Sequence, residues 1–257
     1  MRPHKARPAG FVLYARRIQL KRTLAMKTIG LLGGMSWEST ASYYRAINQG
    51  VKERLGGLHS AKLCLVSVDF EEVEALQRSG DWEQAGELLA QQAQRVEAAG
   101  ADFLLIGTNT MHKVAAPIEA AIDIPLIHIA DATAETLRAA GVSRVGLLGT
   151  RFTMEEEFYK GRLQDRFGIE VVVPASDTGA KISSIIYDEL CLGILREDSR
   201  DFYRQTIAEL SAQGAQGVIL GCTEIALLVQ QADTPIPLFD TTAIHAQAAI
   251  DAALARD

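Results

Sequence analysis

The chain has 257 residues, of which 48% are apolar and 23% charged, so it is long enough to bury one large core or two smaller ones. Its 26 basic and 32 acidic side chains give a net charge of −6, which is unfavourable for general nucleic-acid binding because phosphate contacts need clustered Lys and Arg. The three cysteines are scattered, so we expect a reduced, cytoplasmic protein. We expect no metal site, because the sequence lacks zinc-like ligand spacing, and no membrane span, because it lacks an apolar run of about 18 residues.

Residues 1–25 differ from the rest of the chain in charge. They include seven basic residues and no acidic one, and their apolar run, residues 11–14, is too short for the hydrophobic region of a signal peptide. We expect an extension that is disordered or loosely helical, with a functional basic arm as the alternative. The folded part is expected to begin at Met26.

From Met26 onward, short apolar runs alternate with longer stretches of helical periodicity. The short runs predict buried strands at residues 28–32, 62–68, 103–106, 126–128, 144–148, 170–173 and 217–220. The longer stretches predict helices at residues 39–55, 82–99, 130–140, 154–167, 178–195, 199–213 and 242–255. This alternation is typical of α/β proteins whose parallel sheets are covered by helices on both faces and bind ligands at the carboxyl ends of strands.

Three sequence matches that occur in the same order indicate an internal repeat. They pair residues 29–33 with 145–149, residues 100–108 with 214–222, and residues 124–126 with 236–238. The repeat predicts two similar parallel-sheet α/β domains related by a pseudo-twofold axis, with the active site in the cleft between them. We expect the first domain to comprise residues 26–123 plus 236–257 and the second to comprise residues 124–235.

Two matching polar turns follow strands of this repeat. Gly107-Thr108-Asn109-Thr110 follows one strand, and Gly221-Cys222-Thr223-Glu224 follows the equivalent strand. One such turn is most simply a helix cap, but two at equivalent strand ends predict a cradle for a carboxylate. A thiol at the start of a helix can have a lowered pKa, so Cys222 is a candidate for chemistry, whereas Cys64 and Cys191 are interpreted as inert.

The segments 30–40 (GLLGGMSWEST), 108–112 (TNTMH) and 221–224 (GCTE) resemble the aspartate/glutamate racemase family, within the Asp/Glu/hydantoin racemase superfamily. The resemblance runs from Met26 nearly to the C-terminus. It implies an isomerase that racemises amino acids without a cofactor, works as a homodimer and uses two cysteines on opposite faces of the substrate α-carbon. A racemase handles near mirror-image substrates, so two facing proton carriers on similar halves suit this reaction.

The sequence departs from the family pattern at one of the two catalytic positions. Thr108 occupies the first cysteine position and Cys222 the second, which resembles the L-aspartate/glutamate-specific racemases. A threonine hydroxyl is far less acidic than a thiol and needs an adjacent base. We therefore expect Cys222 to serve the enantiomer whose α-hydrogen faces it, Thr108 to act on the other face, and the two enantiomers to be used unequally.

The resemblance also implies positions that bind the substrate. These are Met35, Gln77, Asn109, Thr110, Lys181 and Thr223, with His112 and Glu224 in secondary roles. Asn109, Thr110 and Thr223 are implied to hold the α-carboxylate, and Lys181 the side-chain carboxylate.

Substrate preference stays open in the sequence. Gln77 matches a position at which many aspartate-specific relatives carry arginine, with Arg78 as the competing match. A neutral Gln77 lacks a charge-assisted contact to an acidic side chain, so neutral polar amino acids are candidates beside aspartate and glutamate, which the resemblance makes the leading ones. Two other functions compete: a superfamily decarboxylase or cis-trans isomerase that uses one cysteine, and a catalytically weak amino-acid-binding protein.

Overall fold

The computed structural model describes residues 26–255 and contains two parallel sheets flanked by helices. The N-terminal extension expected at residues 1–25 lies outside the described residues. Within residues 26–255, no helix combines the length and the apolar character needed to cross a membrane.

The elements follow one another in the expected alternation. The first half contains β1 (Ile29–Gly33), α1 (Trp37–Leu55), β2 (Leu63–Ser67), α2 (Phe70–Ser79), α3 (Trp82–Ala98), β3 (Phe103–Ile106), a 3₁₀ turn (Thr110–Val114), α4 (Ala115–Ala120) and α5 (Ile129–Ala139). The second half contains β4 (Arg144–Gly149), α6 (Arg151–Glu155), α7 (Glu157–Phe167), β5 (Glu170–Val172), α8 (Ser176–Asp188), a 3₁₀ turn (Leu190–Leu192), α9 (Glu197–Ala212), β6 (Val218–Gly221), α10 (Ile225–Leu228), a 3₁₀ turn (Gln231–Asp233), β7 (Leu238–Asp240) and α11 (Thr241–Leu254).

The two sheets share one strand order, which confirms the fold class predicted from the repeat. β1 lies between β2 and β3, β4 lies between β5 and β6, and all these pairs are parallel. The equivalence extends to a fourth position, because Leu126 bridges Leu104 in the first sheet and Leu238 pairs with Val218 in the second.

The strand pairing does not follow the boundaries expected for the domains. Leu126, expected in the second domain, pairs with the first sheet, and β7, expected in the first domain, pairs with β6. The strand predicted at residues 126–128 is reduced to this single bridge beside β3, whereas β7 is a strand that lies beside β6. The C-terminal helix α11 returns to pack on α1 and α5. The division of the chain into two domains as folding units stays a prediction.

Alternating residues of the first sheet build a core on each of its faces. Ile29 and Leu31 pack with α1 and α11, whereas Leu32 packs with α2 and α3. All three side chains are fully buried, which contributes roughly 1.5–3 kcal/mol for each. The strand ends are therefore held from both sides.

Two predicted helices are interrupted in the structure. The helix expected at residues 154–167 is divided because Glu156 has an extended backbone, with φ −92° and ψ 154°. The helix expected at residues 178–195 ends at Asp188 and is followed by a short turn that closes at Gly193, whose φ of 72° is left-handed. Four further helices and strands, α2, α4, α10 and β7, lie outside the predicted ranges. The second interruption matters for the site, because it changes where Cys191 lies.

Candidate active site

One small cavity lies where the carboxyl ends of four strands meet. Met35 follows β1, residues 108–110 follow β3, Thr150 follows β4 and residues 222–224 follow β6, and all of them line this cavity. Its volume is about 20 Å³, which is room for about one water molecule. The two residues expected to carry protons, Thr108 and Cys222, thus lie at the same cavity.

Five of the six residues expected to bind the substrate line the cavity, and Lys181 does not. Lys181 lies inside α8 with an exposed side chain, and its ammonium nitrogen is 4.0 Å from the centroid of the Phe202 ring. The position of Lys181 on α8 directs its side chain to α9, so this structure does not bring it to the cavity. The five that do line the cavity are Met35, Gln77, Asn109, Thr110 and Thr223.

The Cys222 thiol is paired with a buried carboxylate. Its Sγ donates to Oε2 of Glu224 at 3.0 Å, and the Thr223 hydroxyl donates to the same oxygen at 2.6 Å. Burial and the negative charge of Glu224 raise the pKa of the Cys222 thiol well above its usual value. The lowered pKa expected from the sequence is therefore wrong for this closed arrangement, in which the proton stays on sulfur.

Glu224 is also held from the first half of the chain. Its Oε1 accepts a hydrogen bond from the Ser36 hydroxyl at 2.6 Å, and the carboxylate is 3% exposed. Ser36 follows a cis peptide bond with Met35, and Gly34 precedes both. Gly34 has a φ of 94°, and a Cβ there would lie 2.2 Å from the Val68 carbonyl oxygen, so only glycine fits this turn. The thiol, the two hydroxyls and the carboxylate form one hydrogen-bonded group.

The backbone of Thr108 is fixed by a buried histidine. The Nδ1–H of His112 donates to the Thr108 carbonyl oxygen at 2.8 Å, and Nε2 of His112 accepts from the Ile129 N–H at 3.3 Å. This pairing requires a neutral imidazole with its proton on Nδ1. His112 thus lies behind Thr108 and holds its backbone carbonyl.

His112 belongs to a buried histidine cluster with His128 and His245, whose ring centroids lie 4.5 Å and 5.9 Å from its own. His245 donates from Nε2 to the Ile127 carbonyl oxygen at 2.7 Å and accepts at Nδ1 from the Tyr43 hydroxyl at 2.8 Å. Burial lowers the pKa of His245 to about 4. Burial and the charge of Arg162 lower that of His128 to about 3, and burial also lowers that of His112. Among residues 26–255 no group of three or more His, Cys, Asp or Glu is arranged to hold a metal ion, so the cluster acts through hydrogen bonds.

The side-chain amide of Asn109 has a defined orientation. Its Nδ2 donates to the Thr241 hydroxyl at 3.0 Å, and that hydroxyl donates to the Leu220 carbonyl oxygen at 2.9 Å. Because the Thr241 hydroxyl proton is used in this way, the Thr241 oxygen can only accept a hydrogen bond from Asn109. The amide nitrogen of Asn109 must therefore face Thr241, and its oxygen, Oδ1, points the other way. Asn109 is 2% exposed and its Oδ1 has no partner. Asn109 stands before the 3₁₀ turn without capping it, because its amide is committed to Thr241.

Several residues of the lining were not expected from the sequence. Thr150, whose hydroxyl lies 3.0 Å from that of Thr110, could have been found, because the repeat aligns Gly33 with Gly149 just before it. Cys191 was interpreted as inert but lies in the lining, on the short turn after α8. Burial and the charge of Glu224 raise the pKa of its thiol. No sequence signal distinguishes it, since its segment reads as helix.

Gln77 and Tyr187 complete the lining on the side of α2 and α8. The Tyr187 hydroxyl donates to Oε1 of Gln77 at 3.3 Å, and Nε2 of Gln77 donates to the sulfur of Met111 at 3.0 Å. Within the described part of the chain, no Lys or Arg lines the cavity, and Glu224 is its single carboxylate. The lining is therefore polar, and its net charge comes from one anion.

Comparisons with known proteins agree on one family. The family profile described as Asp/Glu/Hydantoin racemase matches residues 32–249. A crystal structure of a candidate Asp/Glu racemase from Yersinia pestis is 58% identical, covers 90% of this chain and 100% of its own, and has a TM-score of 0.84. An aspartate racemase homologue from Pyrococcus horikoshii is 34% identical, with coverages of 89% and 99% and a TM-score of 0.77. The broad specificity amino-acid racemase RacX of Bacillus subtilis is 22% identical over 238 residues, which is 88% of this chain and 98% of RacX.

Proposed function

The chain belongs to the Asp/Glu/hydantoin racemase family, and from this we propose that it racemises α-amino acids without a cofactor, with Cys222 and Thr108 as proton carriers on opposite faces of the α-carbon. The observation that carries the proposal is that these two residues follow the equivalent strands β3 and β6 and line one cavity. The names of the relatives, which include aspartate and broad-specificity amino-acid racemases, support the same class of reaction.

Glu224 is the proton acceptor for Cys222. The thiol already donates to Oε2 of Glu224, so a short transfer of that proton leaves a thiolate next to the substrate. The thiolate removes the α-proton and becomes a thiol again. A substrate ammonium group near the sulfur favours the thiolate, because a neighbouring positive charge stabilises the ionised form. In the reverse direction the Cys222 thiol gives its proton to the α-carbanion.

Thr108 acts on the opposite face, where its hydroxyl protonates the α-carbanion and regains a proton through water, which takes up the proton left on Glu224. His112 holds its backbone carbonyl, which limits the positions open to the Thr108 hydroxyl. A hydroxyl is a poorer acid and base than a thiol, so the half-reaction at Thr108 is the slower one. We therefore expect one enantiomer to be deprotonated faster than the other at equal concentration.

The two ends of the amino acid meet different groups. The free Oδ1 of Asn109 is an acceptor, so in our proposal it receives the substrate ammonium rather than the α-carboxylate that the family resemblance implied. The Thr110 hydroxyl can turn from Thr150 to donate to the α-carboxylate. The Thr223 hydroxyl already donates to Glu224 and holds that carboxylate in place.

The lining favours an amino acid with a short, uncharged polar side chain. A buried carboxylate without a cation is costly, and the described cavity lining offers none. Aspartate and glutamate remain the substrates that the names of the relatives suggest. The substrate panel must therefore contain both classes.

The test is exchange of the α-proton into deuterated water, followed by NMR for each amino acid of the panel. Cys222→Ala should abolish racemisation of every substrate and exchange of the enantiomer whose α-hydrogen faces Cys222, whereas Cys64→Ala, at a strand position outside the cavity lining, should leave both unchanged. Thr108→Cys should speed exchange of the enantiomer that faces residue 108. Racemisation that persists in Cys222→Ala would remove the mechanism. Carbon dioxide release from substituted malonates would instead indicate a decarboxylase, and thermal stabilisation by amino acids without any exchange would indicate a binding protein.

A further inference from the structure

A second, larger cavity lies directly outside the active site. Its volume is about 550 Å³, and it is also lined by Gln77 and Tyr187, the two residues that close the inner cavity of about 20 Å³ on this side. Even the smallest chiral amino acid is several times larger than the single water that the inner cavity can hold. The inner cavity must therefore widen to hold a substrate, and the larger space lies on the other side of the partition formed by Gln77 and Tyr187.

The partition is a contact between the two halves of the protein. Gln77 lies in the last turn of α2 in the first half, and Tyr187 lies in the last turn of α8 in the second half. The hydrogen bond between them is 3.3 Å long, which is at the weak end of the range. Gln77 is only 4% exposed, and its Nε2 is committed to Met111. Both polar ends of this amide are thus occupied while the partition is closed.

We propose that Tyr187 and Gln77 form a gate to the active site, and that once they part, Tyr187 joins Gln77, already expected among the substrate-binding residues, in contacting the side chain of the bound amino acid. Parting frees an acceptor, Oε1 of Gln77, and a donor, the Tyr187 hydroxyl. A hydroxyl or amide on the substrate can replace the bond that was broken, whereas an alkyl group cannot. This second part rests on the proposed racemase function, and the gate itself does not.

The gate is tested by the rate at which a small alkylating reagent reaches Cys222. Wild-type protein and Tyr187→Phe are treated with iodoacetamide, and the labelling of each cysteine is followed separately by peptide mass spectrometry. Tyr187→Phe keeps the ring and removes the hydrogen bond, so labelling of Cys222 should become about three- to tenfold faster. Cys64, which donates to the Ala99 carbonyl oxygen in the first sheet, is the internal control and should label at an unchanged rate. Tyr44→Phe, at an exposed tyrosine on α1, is the matched control variant.

The outcomes separate the gate from a general loss of structure. Faster labelling of Cys64 together with Cys222 would indicate global loosening, and an unchanged rate at Cys222 would also refute the gate. The substrate contact is read from exchange with L-homoserine and L-2-aminobutyrate, which differ by one hydroxyl. The preference of the wild type for homoserine should fall about three- to tenfold in Tyr187→Phe, and an unchanged preference would refute the contact. Faster labelling of Cys222 in a protein that exchanges no amino acid would leave the gate standing and overturn both the proposed function and the contact.

Discussion

Acidification should destabilise the protein through the histidine cluster beneath Thr108. In the folded protein the pKa of His245 is about 4 and that of His128 about 3, whereas an unfolded histidine has a pKa of about 6.5. Both imidazoles are neutral in the native state, so between pH 6.5 and these native values only the unfolded chain gains protons. Their contribution to stability is complete above pH 6.5 and is lost as the pH falls.

The size of the loss follows from these values. At pH 5, which lies above both native values, the unfolded chain gains about 2 kcal/mol for each of the two histidines relative to pH 7. His112, whose pKa burial also lowers, acts in the same direction. Two histidines alone therefore remove about 4 kcal/mol, a large share of the 5–15 kcal/mol typical of a native protein.

Urea denaturation at pH 7, 6 and 5 measures this loss. His245→Asn keeps a donor for Ile127 and an acceptor for Tyr43 but cannot titrate, so its free energy of unfolding should fall by about 2 kcal/mol less than that of the wild type between pH 7 and 5. His59→Asn, at an exposed histidine, is the matched control and should lose as much as the wild type. Equal losses in the wild type and in His245→Asn would refute the reasoning.

Two further predictions concern the site itself. Glu224→Gln removes the charge that, together with burial, raises the pKa of the Cys222 thiol, so alkylation of Cys222 should extend to lower pH. Exchange of the α-proton should fall about 100-fold, because the variant lacks a proton acceptor. An unchanged pH profile of alkylation would contradict the pairing of Cys222 with Glu224. Asn109→Ala should weaken the binding of 2-aminobutyrate at least about tenfold more than that of butyrate, which lacks the ammonium group, as measured by competition with substrate or by thermal shift. Equal weakening of the two ligands would instead place the amide at the α-carboxylate.

Much of the fold could be predicted from the sequence because buried strands appear in it as short runs of apolar residues. β3 is an apolar run that ends at Gly107, and it was predicted with its observed bounds. β7 was missed because it has three residues and no long apolar run, although the repeat matched residues 236–238, which lead into it, with residues 124–126. The repeat proved more informative than periodicity for such short strands, since it compares positions rather than hydrophobicity.

The sequence could predict which residues lie at the strand ends that form the site. It could not predict the direction in which individual side chains point. Thr108 and Cys222 follow buried strands of one repeat, so their meeting at one cavity could be expected. Lys181 occupies a plausible position, but the direction of a side chain on α8 is set by packing against Phe202, which no local pattern reports. The raised pKa of the Cys222 thiol likewise depends on the side-chain geometry of Glu224, two residues along the chain.

The duplicated architecture has a consequence for how inversion of a chiral centre can evolve. Two identical subunits related by a twofold axis must present the same residue at both strand ends. Here both ends belong to one polypeptide, so they can carry different groups, a thiol at Cys222 and an alcohol at Thr108. One chain with two similar halves thus permits an asymmetric site that a symmetric pair of identical subunits could not form.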